Sequence, residues 1–300
     1  MTLEQLRTFR AVARLNSFTR AAEELHLTQP AVSAQIVALE NALRVKLFDR
    51  IGRGIALTPA GQLVLATAGD VLQHLEELRQ ALDDLEGLRR GRLRLGASLV
   101  VGVYLLPEVL GAFKKEHPQI DLALRIEYAH HIVDLIMANE LDLGIIGEGA
   151  PLNDGRLVLK PLMGDELVVI TPARHRWAGR DTISPTALTE EPFIIPARDF
   201  ATSEIIQQRL AAAGLRLKPV LELGNIEAVK KAVEAGLGIS IVSRCAIQHE
   251  LEDGRLQRLR VHGVPLERQF FYCWRSGRRL SKAAEAFVEF FMERAGPRTA

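Results

Sequence analysis

An apolar heptad repeat between residues 59 and 88 divides this chain into two stretches with unlike sequence patterns. Thr58 and Pro59 provide an N-cap and a first-turn proline, so a helix is expected to begin here. Apolar residues that recur every 3.5 positions form one continuous seam, which is typical of a coiled coil. We therefore predict a long helix over residues 59–88 that pairs two chains, although an amphipathic helix packed on its own domain has a similar period. The predicted dimerisation residues are Val64, Ala68, Val71, Leu75, Leu78, Leu82 and Leu85.

The stretch before the repeat, residues 1–58, has the pattern of three short helices and a hairpin. Apolar residues at helical spacing predict a first helix that ends near Leu15. A short second helix follows and runs to Leu25, and Thr28 then caps a third helix whose first turn contains Pro30. Glycines at the turn of residues 47–57 indicate a hairpin. The result is a mostly helical domain with a small β-wing.

The second and third helices carry the sharpest functional signal. Two short helices joined by a turn of three or four residues form a helix-turn-helix, whose second helix enters the DNA major groove with its N-terminal residues at the base edges. Ala21 and Ala22 are small where the two helices would cross. The candidate base-contacting residues are Gln29, Ser33 and Gln35, which can hydrogen-bond, and Pro30 and Ala31, which can touch a thymine methyl group.

The net charge of +1, from 38 Lys and Arg against 37 Asp and Glu, hides a segregated pattern. Residues 1–58 hold eight Lys or Arg against five acidic residues, whereas residues 59–88 hold one Arg against six. The basic segment therefore coincides with the helix-turn-helix, and Arg50 and Arg53 on the hairpin could follow a phosphate backbone or enter the minor groove. By spacing alone, a small helical docking module with a polar surface remains an alternative.

From residue 91 onward, apolar strands alternate with helical patterns, which predicts an α/β fold with a largely parallel sheet. A second unit of this kind begins near Glu166. The last strand, Arg268 to Trp274, and the helix after it are expected to return to the first unit. We predict a two-lobed domain over residues 91–300, with one lobe at about 91–161 plus 268–300 and the other at about 162–267.

Ligands of two-lobed α/β domains bind between the lobes, at the carboxyl ends of strands and at helix N-termini that attract anions. The first such turn is at residues 98–102. The second is at residues 198–203, where Thr202 and Ser203 could hydrogen-bond a carboxylate and Arg198 could pair with it. An ordinary helix cap or loop residue is an equally good interpretation of each one singly. The candidate ligand-binding residues are Ser98, Leu99, Val100, Tyr128, His130, Gly147, Arg198, Ala201, Thr202, Ser203, Asn225 and Ile226.

Other chemistry is poorly supported by the sequence. His130 and His131 have no third ligand at a convincing spacing, so no metal site is predicted. Cys245 and Cys273 are too few for a disulfide framework, and inert core is a better interpretation than a redox switch. The usual enzyme motifs are missing, and so no enzyme activity and no cofactor are predicted.

The alternative function is an enzyme or solute carrier built on the two-lobed fold, with the N-terminal segment as a docking module. A transport protein would need an export signal, and none is visible at the start of the sequence. The most apolar stretch, residues 99–110, contains Pro107 and Glu108 and is too short to span a bilayer. We therefore expect a cytoplasmic protein with no membrane partner.

The whole chain also resembles the LysR-type transcriptional regulators. The resemblance is strongest over residues 18–49, and it extends through a linker helix to an effector domain of the periplasmic-binding-protein kind. The matching motifs are LFDR at 47–50, LTPAG at 57–61, GAS at 96–98, YLLP at 104–107, ELDLGI at 140–145 and EAGLGI at 234–239.

This resemblance implies a sequence-specific regulator whose promoter binding and DNA bending respond to a small effector. The implied partners are double-stranded promoter DNA, the effector and further copies of the chain, as a homodimer through the linker helix and a homotetramer through the effector domains. RNA polymerase is a further candidate partner. Carried over by position, the residues facing DNA are Gln29, Pro30, Ala31, Ser33, Ala34 and Gln35 on the recognition helix and Arg53 on the wing.

Two departures from the family pattern affect these expectations. Many members have Arg where this chain has Ala34, so their preferred DNA site cannot be transferred. The family often has hydroxyl residues where this chain has Leu99 and Val100. An organic acid or a partly apolar metabolite is therefore a better candidate effector than an inorganic anion. The N-terminal motifs look nearest to regulators of carbon fixation and of sulfur assimilation.

Overall fold

The chain forms two compact units, residues 1–86 and residues 87–300. A computed structural model describes residues 1–51, 54–85, 91–149, 155–197, 201–217 and 219–295. We refer to the two as the N-terminal unit and the C-terminal unit and treat each by itself.

The N-terminal unit contains the predicted short helices, hairpin and long helix. Side-chain caps begin the short helices: Thr2 and Gln5 form a reciprocal capping box, and the hydroxyls of Ser17 and Thr28 each accept a bond from a backbone N–H. The elements are α1 (Leu3–Leu15), α2 (Phe18–Glu24), α3 (Gln29–Leu43), β1 (Phe48–Ile51), β2 (Gly54–Leu57) and α4 (Pro59–Leu85).

The core of this unit joins all of its helices. Phe9 of α1 is fully buried, and its ring lies 5.3 Å from that of Phe48 on the hairpin. Val32, Ile36 and Leu39 recur at helical spacing on one face of α3 and are buried. The opposite face of α3 is therefore left free along the whole helix.

In helix α4, the apolar residues that are exposed to solvent differ from those predicted to form the dimer seam. Ala68 is only 2% exposed and lies in the core of the N-terminal unit, and half-buried Val64 packs against the same core. The assignment of Ala68 to an intermolecular seam is therefore wrong, because this turn of α4 packs on its own domain. Among the α4 side chains that the structure describes, the exposed large apolar residues are Leu63, Val71 and Leu78, which are 70%, 40% and 57% exposed. Residues 86–88 and the side chains of Leu82 and Leu85 lie outside the described part.

The C-terminal unit alternates strands and helices. The first part comprises β3 (Gly91–Ser98), α5 (Leu99–Tyr104), α6 (Leu106–Glu116), β4 (Ile120–Glu127), α7 (Ala129–Met137), β5 (Leu143–Gly147) and β6 (Leu157–Pro172). The second part comprises β7 (Thr182–Ile183), α8 (Pro185–Glu190), β8 (Phe193–Pro196), α9 (Ala201–Ala212), β9 (Pro219–Leu223), α10 (Ile226–Glu234), β10 (Ser240–Ser243), a 3-10 turn (Arg244–Ile247), α11 (Gln248–Glu252), β11 (Leu256–Val261), β12 (Glu267–Arg275) and α12 (Lys282–Ala295).

Two long strands connect the lobes of this unit. In the first lobe, β4, β3 and β5 are parallel, whereas β12 pairs antiparallel with both β5 and β6. In the second lobe, β10 and β11 pair antiparallel with the far half of β6, and β8 pairs parallel with β9. The prediction of a largely parallel sheet is therefore only partly correct. The two crossing strands run in opposite directions, and this introduces the antiparallel pairs.

The crossing strands β6 and β12 are paired from Glu267 opposite Glu166 to Arg275 opposite Leu157. Sequence reasoning started β6 near Glu166 and missed its first half, which contains Pro161 and Gly164. Helix α12 packs on the core of the first lobe through Phe287 and Phe291, so the chain end returns to the first lobe as expected. The second lobe has its own core, which includes Trp177 and Phe193.

Candidate functional site

The first turn of α3 presents its polar residues to the outside. The turn between α2 and α3 places His26 in the left-handed region, and buried Ala21 and Ala22 let the two helices approach closely. Gln29, Pro30 and Ala34 are exposed, whereas Ala31 and Ser33 are half-buried. Gln29 Nε2 donates to Ser33 Oγ at 3.1 Å. This hydrogen bond holds the Gln29 side chain against Ser33, one turn further along the helix.

Gln35 and Val37 differ from the expectation for α3. Gln35 is half-buried, and its Oε1 accepts a hydrogen bond from the hydroxyl of Thr8 on α1, so its amide is engaged within the domain. Val37 was not among the predicted residues, but it is 50% exposed and lies one turn beyond Ser33. The signal that could have found it is the i, i+4, i+8 spacing of Gln29, Ser33 and Val37.

The wing is the antiparallel pair β1–β2, in which Arg50 lies opposite Ile55. The structure describes the backbone of Arg50 but not its side chain, and Arg53 lies outside the described residues. Their predicted contacts with a phosphate backbone therefore stay predictions.

The first-lobe candidates lie at the ends of β3, β4 and β5. Ser98 ends β3 and occupies the N-cap position of α5 without a capping hydrogen bond from its side chain, Leu99 is half-buried, and Val100 is 5% exposed in the core of the lobe. Tyr128 precedes α7, and its ring stacks with that of exposed His130 at 5.9 Å. Among the described residues, no three His, Cys, Asp or Glu side chains are grouped to hold a metal ion.

The second-lobe hydroxyls are already engaged by protein groups. Ser203 Oγ donates to the carbonyl oxygens of Pro196 and Ala197 at 2.7 and 3.1 Å, so it ties the start of α9 to the end of β8. Thr202 Oγ1 accepts from Arg268 Nη1 at 2.5 Å. Both residues are buried. The two hydroxyls therefore support the architecture of this turn instead of facing solvent.

Of the remaining second-lobe candidates, Asn225 and Ile226 have structural roles at the start of α10. Asn225 caps α10 by accepting the N–H of Ala228 at 2.7 Å, and Ile226 is buried. Helix α9 begins at Ala201, whose side chain is not described, and Arg198 lies outside the described residues.

Arg268 is a candidate ligand-binding residue that the sequence analysis did not identify. Its Nε donates to Asp165 Oδ2 at 2.7 Å, both side chains are at most 4% exposed, and Nη1 holds Thr202. A Cβ placed on Gly147 would lie 3.7 Å from Arg268 Nη1, so the end of β5 adjoins the same guanidinium. Arg268 thus brings Gly147 of the first lobe and Thr202 of the second to one point. The available signal was weak, because Arg268 stands between Glu267 and Gln269 at the polar start of β12.

One nitrogen of the Arg268 guanidinium, Nη2 with its two N–H donors, is unused among the described residues. Nη2 is buried and has no hydrogen-bond partner among the described residues. Buried polar groups are almost always paired, and an unpaired one costs about 1–3 kcal/mol. The guanidinium carbon lies 4.7 Å from the centroid of the Phe270 ring, which supports one face of the group. The arrangement is suited to binding an oxygen of a small anion at Nη2.

Neither cysteine has the lowered thiol pKa that favours redox chemistry. Burial raises the pKa of the Cys245 thiol to about 12, with the nearby Asp165 charge adding to the effect, and Ser243 Oγ lies 3.0 Å from its sulfur. Burial likewise raises the pKa of Cys273 to about 12. Because the thiolate is the reactive form, both thiols are expected to be inert at neutral pH.

Comparison with known families matches both units of this chain. The family described as the bacterial regulatory helix-turn-helix protein of the lysR family matches residues 3–62, and the LysR substrate binding domain matches residues 86–296. No helix among the described residues has both the length and the apolar composition needed to cross a membrane.

Several characterised relatives match nearly the full length. The RuBisCO operon transcriptional regulator of Allochromatium vinosum is 39% identical over 295 residues, which cover 98% of this chain and 97% of the relative. The transcriptional activator CmpR of Synechocystis is 35% identical over 289 residues, which cover 96% of this chain and 94% of the relative.

Solved structures agree with these matches. A full-length OxyR variant from Pseudomonas aeruginosa has a TM-score of 0.75 at 25% identity and covers 97% of this chain and 94% of its own. The CcmR regulatory domain of Synechocystis, solved in complex with 2-PG, has a TM-score of 0.63 at 30% identity and covers 70% of this chain and 99% of its own. Together with the helix-turn-helix and the two-lobed α/β unit, these matches mean that the chain belongs to the LysR family of transcriptional regulators, which bind DNA and are not enzymes.

Proposed function

We propose that this regulator senses a small organic anion between its two lobes and transmits the binding to promoter DNA as a change in DNA bending. Residues 91–300 then form the sensor, residues 1–58 the DNA-reading head and residues 59–88 the pairing helix. The observation that carries the ligand class is the buried Nη2 of Arg268, which has no hydrogen-bond partner among the described residues and lies where both lobes meet.

The start of α9 beside Arg268 favours an acidic ligand over a neutral one. Asp165 neutralises the guanidinium, and the donor at Nη2 remains for an acceptor oxygen. Helix α9 begins beside Thr202, and the unpaired N–H groups at a helix N-terminus attract a carboxylate or phosphate. The regulators similar to this chain include one whose regulatory domain was solved with 2-PG, so 2-PG is a suitable probe.

Calorimetric titration of the full chain with 2-PG tests this assignment. Arg268→Lys keeps a cation beside Asp165 but loses the forked donors, so the affinity for the probe should fall by at least about tenfold. Arg258→Lys is the matched control, because Arg258 is exposed on β11. Unchanged affinity in Arg268→Lys would contradict the role of Arg268. A wild-type chain that binds neither 2-PG nor any member of a panel of small phosphate and carboxylate metabolites would contradict the ligand class.

Reading of promoter DNA is assigned to the exposed start of α3. Gln29, Pro30, Ala31, Ser33 and Ala34 offer donors, acceptors and small apolar groups to base edges, and Arg50 and Arg53 on the wing offer charges to phosphates. A gel-shift experiment with the DNA upstream of the chain's own gene should give a complex whose affinity falls steeply with salt. Absence of any complex at low salt would contradict this assignment.

Pairing of two copies is assigned to the free apolar stripe of α4, defined by Leu63, Val71 and Leu78. The stripe lies on a different face from Ala68, and exposed apolar residues in a row mark interaction surfaces. A two-fold dimer would present two reading heads to a pseudo-palindromic site. We further propose that contacts between effector domains complete a homotetramer, for which the oligomeric state at low micromolar concentration is the test.

A further inference from the structure

Tyr104 of the first lobe is hydrogen-bonded to Glu227 of the second. Tyr104 is the last residue of α5, and its hydroxyl donates to Glu227 Oε1 at 2.5 Å. Glu227 lies in the first turn of α10, two residues after the cap Asn225. The side chain of Tyr104 also packs against the core of the first lobe and against the core beneath α10. This contact therefore joins two helices that belong to different lobes.

On the second lobe, Tyr104 contacts a network of charged side chains. Lys230 is 3% exposed, and its Nζ binds Glu227 at 2.7 Å, Glu250 at 3.0 Å and the carbonyl oxygen of Ala246 at 2.9 Å. The same Nζ lies 4.9 Å from the centroid of the Tyr104 ring. Tyr104 therefore makes both a hydrogen bond and a cation–π contact with one network centred on buried Lys230.

On the first lobe, α5 is fixed to its neighbours. A Cβ added at Gly102 would come within 2.7 Å of the Ile126 side chain on β4, so the helix lies unusually close to the sheet. Val101 of the same helix is fully buried. Since α5 cannot move independently of its lobe, a bond at its last residue constrains the lobe as a whole.

We propose that Tyr104 is a positioning residue that latches the two lobes in the arrangement that binds the effector. The latch shares both of its helices with the candidate effector site, because α5 begins after Ser98 and α10 begins after Asn225. A ligand held between the lobes at Arg268 and the hydrogen bond at Tyr104 stabilise the same arrangement of the lobes, and the two are therefore thermodynamically coupled. The inference rests on the proposed function only in its choice of ligand site.

The protonation states needed for the latch are stable at neutral pH. Burial and the Glu227 charge raise the pKa of the Tyr104 hydroxyl well above its usual value. Although burial opposes it, the bonds from Lys230 and Tyr104 hold the pKa of Glu227 below its usual value. The phenol remains the donor and the carboxylate the acceptor across the physiological range.

A second inter-lobe bridge provides an internal control. Arg209 of α9 donates to Glu148, which follows β5, at 3.1 Å, and these side chains are 43% and 38% exposed. Exposed ion pairs of this kind contribute little to a conformational equilibrium. Removal of this bridge should therefore leave the arrangement of the lobes unchanged.

Spin-label distances in the full chain test the latch without any ligand. Labels at Lys115→Cys on α6 and Glu252→Cys on α11 are both on exposed positions, and labelled chains are diluted into unlabelled ones so that one pair is measured. Tyr104→Phe keeps the ring over Lys230 and removes only the hydroxyl, and it should shift or broaden the distance distribution. Arg209→Gln should not. An unchanged distribution in Tyr104→Phe, or an equal change in Arg209→Gln, would overturn the latch.

A double-mutant cycle tests whether Tyr104 and Glu227 act as one unit. If they do, Tyr104→Phe should weaken 2-PG binding about tenfold in the wild-type chain, the usual effect of a hydrogen bond to a charged group, and should have no further effect in a chain that already carries Glu227→Ala. Effects that multiply in the double variant would overturn the pairing. Failure of the wild-type chain to bind 2-PG counts against the proposed ligand, while the label distances still decide on the latch.

Discussion

Asp165 and Arg268 form a buried ion pair across the two strands that connect the lobes. Asp165 lies on β6, Arg268 lies opposite it on β12, and Ser243 Oγ donates to the second carboxylate oxygen at 2.7 Å. A desolvated pair of this kind is stable only while both partners are present, because each charge alone would be buried without compensation. The ion pair therefore fixes the position of the guanidinium that the candidate ligand would meet.

Removal of one partner should be costly. In Asp165→Asn, the Arg268 charge stays buried without its anion, and we expect a loss of about 3–5 kcal/mol in the free energy of unfolding of the C-terminal unit. Urea denaturation followed by tryptophan fluorescence measures this. Asp121→Asn, at an exposed ion pair with Arg92, should remain close to wild type. Equal stability of the two variants would contradict the structural role of the buried pair.

The apolar stripe of α4 makes a prediction about assembly. Val71→Glu combined with Leu78→Glu should dissociate the dimer while the N-terminal unit stays folded, because a dimer seam cannot hold unpaired charges. Light scattering after size exclusion gives the mass, and circular dichroism reports the fold. Gln62→Glu, exposed on another face of α4, should leave the mass unchanged. Ala68→Glu should instead unfold the N-terminal unit, since Ala68 lies in its core.

The recognition helix predicts different outcomes for neighbouring polar residues. Gln29→Ala combined with Ser33→Ala should lower the affinity for the specific promoter site by about tenfold, with a smaller effect on unrelated DNA. In Gln35→Ala, the hydrogen bond from Thr8 is lost, and the free energy of unfolding should fall by about 1 kcal/mol. Binding titrations on both DNAs, with thermal unfolding alongside, separate the two effects. A variant at Gln35 that alters only sequence preference would show that its role is base reading.

The buried Cys273 thiol predicts a dependence of stability on pH. Burial raises its pKa from about 9 to about 12 in the folded chain, so the folded state favours the neutral thiol. Its contribution to stability is complete below pH 9 and is lost as pH rises from 9 to 12. The stability difference between wild type and Cys273→Ala should therefore shrink by about 1.4 kcal/mol between pH 8 and pH 10. Urea denaturation at pH 8 and pH 10 provides the comparison, and a constant difference would contradict the burial of the thiol.

Local signals were sufficient for most elements of the fold. Thr28 and Pro30 determine the start of α3, and the first helix, predicted to end near Leu15, ends at that residue in the structure. The ends of such elements depend on residues only a few positions apart, so they can be predicted from a single sequence. The antiparallel course of β6 and β12 depends instead on pairing between residues about a hundred positions apart.

The candidate site was harder to predict because its main contacts are long-range. Asp165 and Arg268 are separated by 103 positions, and the sequence around each residue does not indicate which distant residue pairs with it. Thr202 and Ser203 have the right chemistry for a carboxylate, but a sequence does not show that Arg268 and Pro196 already engage them. For α4, apolar residues lie on two adjoining faces, and only the packing of Ala68 distinguishes the inner one.

The paired course of β6 and β12 restricts how the lobes can move. Two antiparallel strands linked by backbone hydrogen bonds behave as a ribbon that resists stretching and shearing but yields to torsion. Both strands cross together, so neither can lengthen to let the lobes separate. An effector signal should therefore travel as a rotation of one lobe about the ribbon at nearly constant spacing, and the register shift between Phe270 and Phe271 is where that torsion would concentrate.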